Sequence, residues 1–152
     1  MKVDLTVAPD PDQGEIVSFL KEIDNDVIPS LSSRLNLEEY SSKICRFSEC
    51  VIARLNNNII GLSAAYCNDL KTQKGFLTLI AVTKDCRCKG IATRLLNETI
   101  HIAKLKNMKK LILETSIQNK HAVSFYIKRG FNFANDAIVK TTDTVFMEYD
   151  IK

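Results

Sequence analysis

The chain has 152 residues, of which 45% are apolar and 26% are charged, and its formal net charge is +3. This composition is typical of one globular domain spanning residues 1–152, and the charge is too small to indicate nucleic-acid binding by itself. The longest apolar runs are too short to cross a membrane, and residues 1–13 carry acids and prolines where a signal peptide needs an apolar core, which predicts a cytoplasmic protein.

The N-terminal third of the chain predicts one strand followed by two helices. Residues 3–7 alternate between apolar and polar like a short strand, and Asp12 can cap a helix over 13–25. Asn36 then begins a pattern that resembles a capping box, which predicts a second helix through about Phe47.

The rest of the chain predicts a sheet with two more helices. The predicted elements are strands at 49–55, 59–67 and 75–83, a helix from Gly90, a strand at 109–116, a helix at 119–130, and strands at 131–133 and 144–151. The order β-α-α-β-β-β-α-β-α-β-β indicates a mixed sheet with helices on its faces. We therefore predict an α/β (α+β) fold with about seven strands and about four helices.

The cysteines favour neither disulfide bonds nor a metal site. Their number is odd at five, and without an export signal a disulfide framework is not expected. Cys45, Cys50 and Cys67 stand among apolar neighbours, where a cysteine behaves as a small buried hydrophobe. Cys86 and Cys88 form a single C-x-C pair, whereas zinc would need a second pair or nearby histidines.

The stretch CRCKGIATRLL at 86–96 joins a strand to a helix and is typical of an anion site. The first N–H groups of a helix lack carbonyl partners, and the helix dipole adds partial positive charge there. Arg87 and Lys89 add full charges. Gly90 would let the backbone approach a phosphate closely, and Ala92 keeps the first turn slim. A plain helix start beside solvated cations would have the same sequence, so this motif alone leaves both interpretations open.

Two motifs in register resemble those of the GCN5-related N-acetyltransferases. Arg87-x-x-Gly90-x-Ala92 after a strand is similar to the family's acyl-CoA pyrophosphate loop. The stretch ETSIQNKHAVSFYIKRGF at 114–131 resembles the second signature, an asparagine before an apolar helix that carries F-Y and ends in G-F. The matching residues are Asn119, Ala122, Phe125, Tyr126, Gly130 and Phe131. The resemblance covers nearly the whole chain and is sharpest over 77–133, and it implies that family's fold.

The resemblance implies acetyl-CoA as a co-substrate and no metal. In the family, two strands splay apart and the pantetheine arm lies between them, paired with free backbone groups of the long strand; here Ile80 and Val82 are the first candidates. The pyrophosphate would rest on amides of the helix start, and Asn119 would hydrogen-bond the arm or simply cap its helix. The implied cofactor-binding residues are Leu79, Ile80, Ala81, Val82, Arg87, Cys88, Lys89, Gly90, Ile91, Ala92, Thr93, Asn119 and Tyr126.

Tyr126 is the implied catalytic acid, because in the family a tyrosine at this position protonates the departing thiolate or hydrogen-bonds its sulfur. A phenol suits the role since its pKa lies above that of a thiol and it stays protonated at pH 7. A backbone N–H near Ile80 would polarise the thioester carbonyl. Cys86 and Cys88 lie beside the phosphate loop, so we expect direct attack by the amine and not an acyl-cysteine. The alternative for Tyr126 is a core aromatic residue with a hydrated hydroxyl.

Glu114 is the first candidate for the general base. A carboxylate inside a central apolar strand is costly unless paired, and burial raises a carboxyl pKa toward the range useful to a base. Some relatives, the ribosomal-protein alanine acetyltransferases among them, use a glutamate at this strand position. The alternatives are a solvated or lysine-paired carboxylate at the sheet end and a water-mediated reaction. Asp69 is the second-choice base.

The acceptor is expected to be a primary amine, bound by segments 22–40, 66–75 and 133–143. The candidate contacts are Asn25, Arg34, Tyr66, Asn68 and Asp69. The acids Asp24, Asp26, Glu38 and Glu39 could also receive an amine, and Arg34 could hold a carboxylate or phosphate, although solvated helix ends would look the same. A small-molecule amine (an amino sugar, an amino acid or an aminoglycoside) suits the chain length, and a protein N-terminus or lysine is the alternative.

Two other functions fit the residues less well. A non-catalytic CoA-binding sensor would have no need of the proton donor at Tyr126. A nucleic-acid binder could use the basic stretch at 104–111, but that stretch has no interleaved aromatic residues. We expect no nucleic-acid or membrane partner, and the sequence leaves a homodimer open.

Overall fold

The computed structural model describes residues 2–27, 30–138 and 143–152. Its strands are β1 (Asp4–Ala8), β2 (Glu49–Leu55), β3 (Asn58–Tyr66), β4 (Lys74–Val82), β5 (Lys110–Ser116), β6 (Asn132–Ile138) and β7 (Thr144–Asp150). Its α-helices are α1 (Gln13–Ile23), α2 (Leu37–Phe47), α3 (Ile91–Leu105) and α4 (Lys120–Lys128). The predicted order of strands and helices is confirmed.

The strands form one seven-stranded sheet in the order β1-β2-β3-β4-β5-β7-β6. Every neighbouring pair is antiparallel except β4 and β5, which run parallel. That parallel ladder joins only Lys74–Leu77 to Lys110–Leu113. Beyond it β4 stays paired with β3 and β5 stays paired with β7, so the two strands part and leave a gap in the middle of the sheet.

A β-bulge interrupts β4 at the start of this gap. In the ladder with β3, Leu77 lies opposite Ala65 and Leu79 lies opposite Ala64, so Thr78 is an extra residue with no Cα partner. A bulge bends its strand and re-aims the neighbouring backbone groups. The bulge therefore begins where β4 loses its pairing with β5.

The helices cover both faces of the sheet. On one face, α1 and α2 bury apolar residues at helical spacing against β2, β3 and β4, and α1 contributes Ile16, Phe19, Leu20 and Ile23. On the other face, α3 and α4 pack against the sheet through two further clusters. Burial of each such large apolar side chain contributes about 1.5–3 kcal/mol, so these contacts hold the helices against the sheet.

Local signals explain where the helices begin. The side chains of Asp12, Asn36 and Asn119 accept hydrogen bonds from the N–H groups of Glu15, Glu39 and Ala122, as N-cap residues do. The prediction that α1 reaches Asn25 is wrong by two residues, because Asp24–Asp26 form a turn of 3-10 helix. The Asp24 carboxylate there accepts hydrogen bonds from the N–H and hydroxyl of Ser32.

All five cysteines are free thiols, and Cys50, Cys67 and Cys86 are buried. Cys45 is half-buried, and Cys88 is exposed. Within the described ranges, no helix has the length and apolar character needed to cross a membrane.

Candidate active site

A narrow cleft, here called the cofactor cleft, fills the gap between β4 and β5. Its volume is about 200 Å³. It is lined by Val27, Leu31, Arg34, Leu77, Thr78, Leu79, Ile80, Leu113, Glu114, Thr115, Ser116, Asn119, Ala122, Tyr126 and Thr144. The two splayed strands and the start of α4 thus surround one opening, where the sequence motifs placed the arm of acyl-CoA.

The backbone of β4 directs unpaired polar groups into this cleft. The N–H of Thr83 donates to the carbonyl of Ile60 at 2.8 Å, so the backbone polar groups of Thr83 face β3. Because residues of an antiparallel strand alternate between facing the partner and facing away, Ile80 and Val82 point their N–H and C=O groups away from β3. Both residues therefore face the gap, as predicted.

The loop after β4 has the geometry of an anion site at a helix N-terminus. Gly90 is the N-cap of α3 and has a φ of +79°, in the left-handed region that glycine adopts readily. The N–H of Arg94 is the first to bond back, to the carbonyl of Gly90. The N–H groups of residues 91–93 are therefore left without carbonyl partners in the helix, and they are available to an anion.

Arg87 is directed differently from the prediction. Its Nε donates to the carbonyl of Val82 at 3.0 Å, and its Nη2 lies 3.1 Å from Oδ2 of Asp26. The guanidinium thus ties the loop to β4 and to the end of α1, and its charge is balanced by a carboxylate. Two consequences follow: Arg87 does not add a free charge to the anion site, and only the N–H of Val82 remains open toward the gap.

The two sequence motifs are connected through Arg129. Its Nε and Nη2 donate to Oγ1 of Thr93 at 3.0 and 2.7 Å, and its guanidinium lies 4.2 Å from the centre of the Phe125 ring. The end of α4 is therefore bonded to the first turn of α3. The hydroxyl of Thr93 is engaged in this contact, which leaves its backbone N–H for a ligand.

Asn119 caps α4 and also lines the cofactor cleft. Its Oδ1 caps α4 by accepting the N–H of Ala122 at 3.2 Å, and the residue lines the cofactor cleft. Capping uses the oxygen alone, so the side-chain amide NH₂ is left to donate to a ligand.

Tyr126 lies on α4 with its ring buried and its side chain at the wall of the cofactor cleft. Phe125 and Phe131 hold the ring at centroid distances of 5.2 and 5.3 Å. Burial raises the pKa of the phenol above its ordinary value of 10.0, so the hydroxyl remains protonated at neutral pH. A protonated hydroxyl held rigidly in the cleft is suited to donate to a departing thiolate.

A second cleft of about 510 Å³, here called the acceptor cleft, adjoins the first on the α2 side. Its lining residues are Arg34, Leu35, Asn36, Glu39, Tyr40, Lys43, Tyr66, Phe76, Leu77, Thr78 and Glu114. Four of these also line the cofactor cleft: Arg34, Leu77, Thr78 and Glu114. The two clefts therefore meet at the bulge of β4 and the carboxylate of β5.

Glu114 lies at this junction, but the expectation that it is buried is wrong. Its side chain is exposed, whereas Leu111 and Leu113 on the opposite face of β5 are buried. The physical reason is the gap itself, since β5 loses its neighbour β4 after Leu113 and the next residue opens into the clefts. The feature that makes Glu114 a candidate base is therefore its position between the two clefts and not its burial.

Of the five predicted acceptor contacts, two line the acceptor cleft and three lie outside both clefts. Tyr66 and Arg34 line the acceptor cleft. Asn25 is exposed in the turn after α1, and neither cleft includes it. Asn68 donates to the carbonyl of Phe47, and Asp69 accepts the N–H and hydroxyl of Thr72 in a turn, so the second-choice base lies outside both clefts. In the predicted segment 133–143, residues 139–142 lie outside the described residues.

Sequence reasoning missed Tyr40 and Thr78. Tyr40 reaches from α2 to the bulge, where its hydroxyl lies 3.0 Å from the Thr78 carbonyl oxygen and 2.7 Å from Oγ1 of the same residue. One weak signal was present, because Thr78 is a polar residue between two leucines in an otherwise apolar strand. Nothing local to Tyr40 indicated its partner 38 residues away.

A larger open groove of about 910 Å³ lies between α1, the start of β3 and residues 83–86. It includes none of the splayed-strand backbone, no tyrosine and not the motif residue Asn119, so we place the site in the two smaller clefts. Across the described part of the chain, no three His, Cys, Asp or Glu side chains are grouped as metal ligands.

Comparisons with known proteins agree with this geometry. The family model described as "Acetyltransferase (GNAT) family" matches residues 16–131. N-alpha-acetyltransferase 30 of Schizosaccharomyces pombe is 28% identical over 117 residues, which cover 74% of this chain and 77% of that protein.

Two solved structures share the fold over 99% of this chain. A GNAT-family acetyltransferase from Streptococcus pneumoniae superposes with a TM-score of 0.76 at 22% identity, and 100% of that chain is covered. The PaiA N-acetyltransferase from Thermoplasma acidophilum, solved in complex with coenzyme A, superposes with a TM-score of 0.73 at 17% identity, and 99% of that chain is covered. With its splayed sheet, the unpartnered N–H groups at the start of α3 and a family model that matches most of its length, this chain belongs to the GNAT family of acetyltransferases and is an acyltransferase.

Proposed function

We propose that the protein transfers the acetyl group of acetyl-CoA to a primary amine by direct attack of the amine nitrogen on the thioester carbon. The observation that carries this proposal is the meeting of two clefts at Thr78 and Glu114. One cleft has unpaired strand backbone and leads to a helix-start anion site, as an acyl-CoA requires, and the other is wide enough for an amine-bearing group.

The residues of the cofactor cleft fit acetyl-CoA group by group. The N–H groups of residues 91–93 would hold the pyrophosphate, and the outward-facing backbone of Ile80 and the N–H of Val82 would pair with the amides of the arm. The amide NH₂ of Asn119 would hydrogen-bond the arm from the other side of the gap. Acetyl-CoA supplies the activated acyl carbon, and the protein supplies position and proton transfer.

In this proposal Glu114 accepts the proton that the amine loses as its nitrogen bonds to the acyl carbon. An amine attacks only when its lone pair is free, so a base at the mouth of the acceptor cleft serves the reaction. The outward-facing N–H of Ile80 stabilises the negative charge that develops on the carbonyl oxygen. As the carbon–sulfur bond breaks, Tyr126 donates its proton to the thiolate, and the products are the N-acetyl amine and coenzyme A.

For the acceptor we propose a small-molecule amine, which enters through the open cleft beside α2. The mixed charges of that cleft (Arg34 and Lys43 against Glu39 and Glu114) suit an acceptor that carries polar groups besides its amine. A protein N-terminus is the second candidate, and the similarity to an N-alpha-acetyltransferase is the observation that supports it.

A thiol-release assay with acetyl-CoA tests the proposal. The amine panel would contain amino sugars, amino acids, aminoglycosides, short peptides with a free N-terminus, and the same peptides with a blocked N-terminus and one lysine. We expect turnover with one of these classes and an increase in thermal stability on adding acetyl-CoA alone. Tight coenzyme A binding without turnover of any amine would contradict the proposed activity and indicate a non-catalytic CoA sensor instead.

Tyr126→Phe provides the matched test of the acid. The variant keeps the ring that packs on Phe125 and Phe131 and removes only the hydroxyl. We expect kcat to fall by about a hundredfold or more, with little change in the KM for acetyl-CoA. An unchanged kcat would remove Tyr126 from the mechanism while leaving the acetyl-transfer proposal in place.

A further inference from the structure

The carbonyl group at the bulge of β4 needs a hydrogen-bond donor from outside the sheet. Thr78 has no partner in β3, because the ladder skips it, and none in β5, because that ladder ends at Leu77. A buried carbonyl left without a donor costs about 1–3 kcal/mol, so such groups are nearly always paired.

Tyr40 supplies that donor from the opposite layer of the protein. Tyr40 belongs to α2, and its side chain is buried between that helix and the sheet. Its hydroxyl donates to the Thr78 carbonyl at 3.0 Å. The phenol oxygen of Tyr40 also lies 2.7 Å from Oγ1 of Thr78, so the threonine hydroxyl can donate a hydrogen bond to the phenol and orient it. Burial raises the pKa of Tyr40 to about 12, so the group remains a donor at any physiological pH.

This contact fixes the direction of the peptide groups that follow. The carbonyl of Thr78 and the N–H of Leu79 belong to one planar peptide and point in opposite directions. Tyr40 holds the oxygen end, and the register of Leu79 opposite Ala64 holds the other end against β3. With this peptide held at both ends, the next N–H, that of Ile80, is directed away from β3 and into the cofactor cleft.

We propose that Tyr40 is a positioning residue for acetyl transfer, whose hydroxyl holds the β4 bulge so that the Ile80 N–H points at the thioester carbonyl. This inference rests on the proposed function. Tyr40 acts through Thr78 and not on the reacting atoms. Its effect is specific to ligands that carry a carbonyl at the position of the acetyl group, because only that group meets the Ile80 N–H.

The experiment compares two ligands that differ at this carbonyl. Acetonyl-coenzyme A, an unreactive ketone analogue of acetyl-CoA, has the oxygen that the Ile80 N–H would bind, and coenzyme A lacks it. Calorimetric titration of both ligands against the wild type and Tyr40→Phe gives a preference ratio for each protein. We expect Tyr40→Phe to lower the preference for the ketone about tenfold, the factor that corresponds to one neutral hydrogen bond, and to leave coenzyme A binding unchanged.

Tyr149→Phe is the matched control. Tyr149 stacks against Phe131 at 5.3 Å and lines neither cleft, so this variant should keep the wild-type preference. Equal weakening of both ligands in Tyr40→Phe would show a structural role and overturn the inference, as would an unchanged ratio. A wild type that binds both ligands equally would also overturn it, whereas a wild type that binds neither would overturn the proposed function itself.

A measurement on the wild type covers the case in which Tyr40→Phe does not fold. The amide proton of Ile80, observed by nuclear magnetic resonance, should move downfield with acetonyl-coenzyme A and not with coenzyme A. An Ile80 amide that responds equally to both ligands would contradict the proposed geometry without any variant.

Discussion

Three tyrosines border the clefts, and their hydroxyl groups reach different partners. The hydroxyl of Tyr40 is bonded to Thr78, that of Tyr126 lies at the wall of the cofactor cleft, and that of Tyr66 is buried without a hydrogen-bond partner among the described residues. Desolvation is the largest cause that raises the pKa of all three. All three therefore stay protonated at neutral pH, and what distinguishes them is the group that each hydroxyl can reach.

Replacing Tyr66 and Tyr40 by phenylalanine should change stability in opposite directions. Tyr66→Phe removes a buried hydroxyl with no partner in the described chain, so the free energy of unfolding should rise by up to about 1 kcal/mol. Tyr40→Phe leaves the Thr78 carbonyl without its donor, so the free energy of unfolding should fall by about 1–3 kcal/mol. Urea denaturation of the two variants measures both, and equal destabilisation would contradict the prediction.

Glu114→Gln tests the general base at the junction of the clefts. The amide keeps the shape of the side chain and removes its ability to accept a proton, so kcat/KM should fall about 10²–10⁴-fold. Glu39→Gln is the matched control, since Glu39 lines the acceptor cleft and does not reach the cofactor cleft. An unchanged kcat/KM in Glu114→Gln would assign proton removal to water.

At the level of single elements, the loop before α3 has an unusual backbone conformation. The loop contains two residues with positive φ, Cys88 at +63° and Gly90 at +79°. A residue with a Cβ is strained in this conformation, and Cys88 tolerates it on an exposed loop. The loop is further held by Arg87, which binds Val82 and Asp26, and by the contact of Arg129 with Thr93.

Gly90→Ala should weaken ligand binding more than it weakens the fold. No atom lies within 4 Å of the position its Cβ would take, so the variant should lose only about 1–2 kcal/mol of stability through backbone strain. The new methyl group lies at the helix start where the pyrophosphate would rest, so the Kd for coenzyme A should rise about tenfold or more.

Gly130→Ala controls for backbone strain in this experiment. Gly130 has a φ of +96° at the end of α4, and a Cβ there would lie 3.1 Å from the ring of Tyr149. The control should therefore lose at least as much stability as Gly90→Ala and keep its affinity for coenzyme A. Equal loss of affinity in the two variants would contradict an anion site at Gly90.

Individual elements also mark the limit of prediction from sequence. The caps at Asp12 and Asn36 and the motif residues Gly90 and Asn119 were predictable, because each acts on backbone within a few residues of itself. The exposure of Glu114 was not, since it depends on where the β4–β5 ladder stops.

The roles of two other side chains were equally out of reach. Arg87 bonds to Asp26, which is distant in sequence, and Tyr40 to Thr78 across two layers of the fold. Such contacts follow from the packing of elements and leave no periodic signal in the chain.

Considered as a whole, the molecule has a sheet of two parts. One part is β1 to β4 with α1 and α2 on one face, and the other is β5, β7 and β6 with α4. Helix α3 crosses from one part to the other, since its residues belong to the buried clusters of both. Two of the buried polar side chains, Ser63 and Thr99, are bonded to each other where α3 meets β3, and the buried hydroxyl of Ser41 donates to the Leu37 carbonyl within α2.

Stability should fall above pH 10 because of the buried tyrosines. In the unfolded chain a tyrosine titrates near 10.0, whereas the pKa of Tyr40 in the folded protein is about 12, so between these values only the unfolded state loses the proton. The stabilisation is therefore complete below pH 10 and is lost as the pH rises toward 12, by about 1.4 kcal/mol per unit for this group.

Urea denaturation of the wild type and Tyr40→Phe across pH 8–12 isolates this contribution, because the other titrating groups are common to both proteins. The stability of the wild type relative to Tyr40→Phe should be constant up to about pH 10 and should decrease by about 2–3 kcal/mol toward pH 12. A difference that stays constant over the whole range would contradict the prediction.

The seam between the two parts of the sheet has a consequence for how long the protein survives. Among the described residues, only four pairs join β4 to β5, so few strand-to-strand hydrogen bonds hold the two parts of the sheet together at this seam. A bound pantetheine arm would bridge the remaining gap from Ile80 and Val82, and so the ligand would stand in for missing strand pairing. Local opening of the empty protein at this seam would expose the chain to proteases, so a bound coenzyme would lengthen the lifetime of the protein.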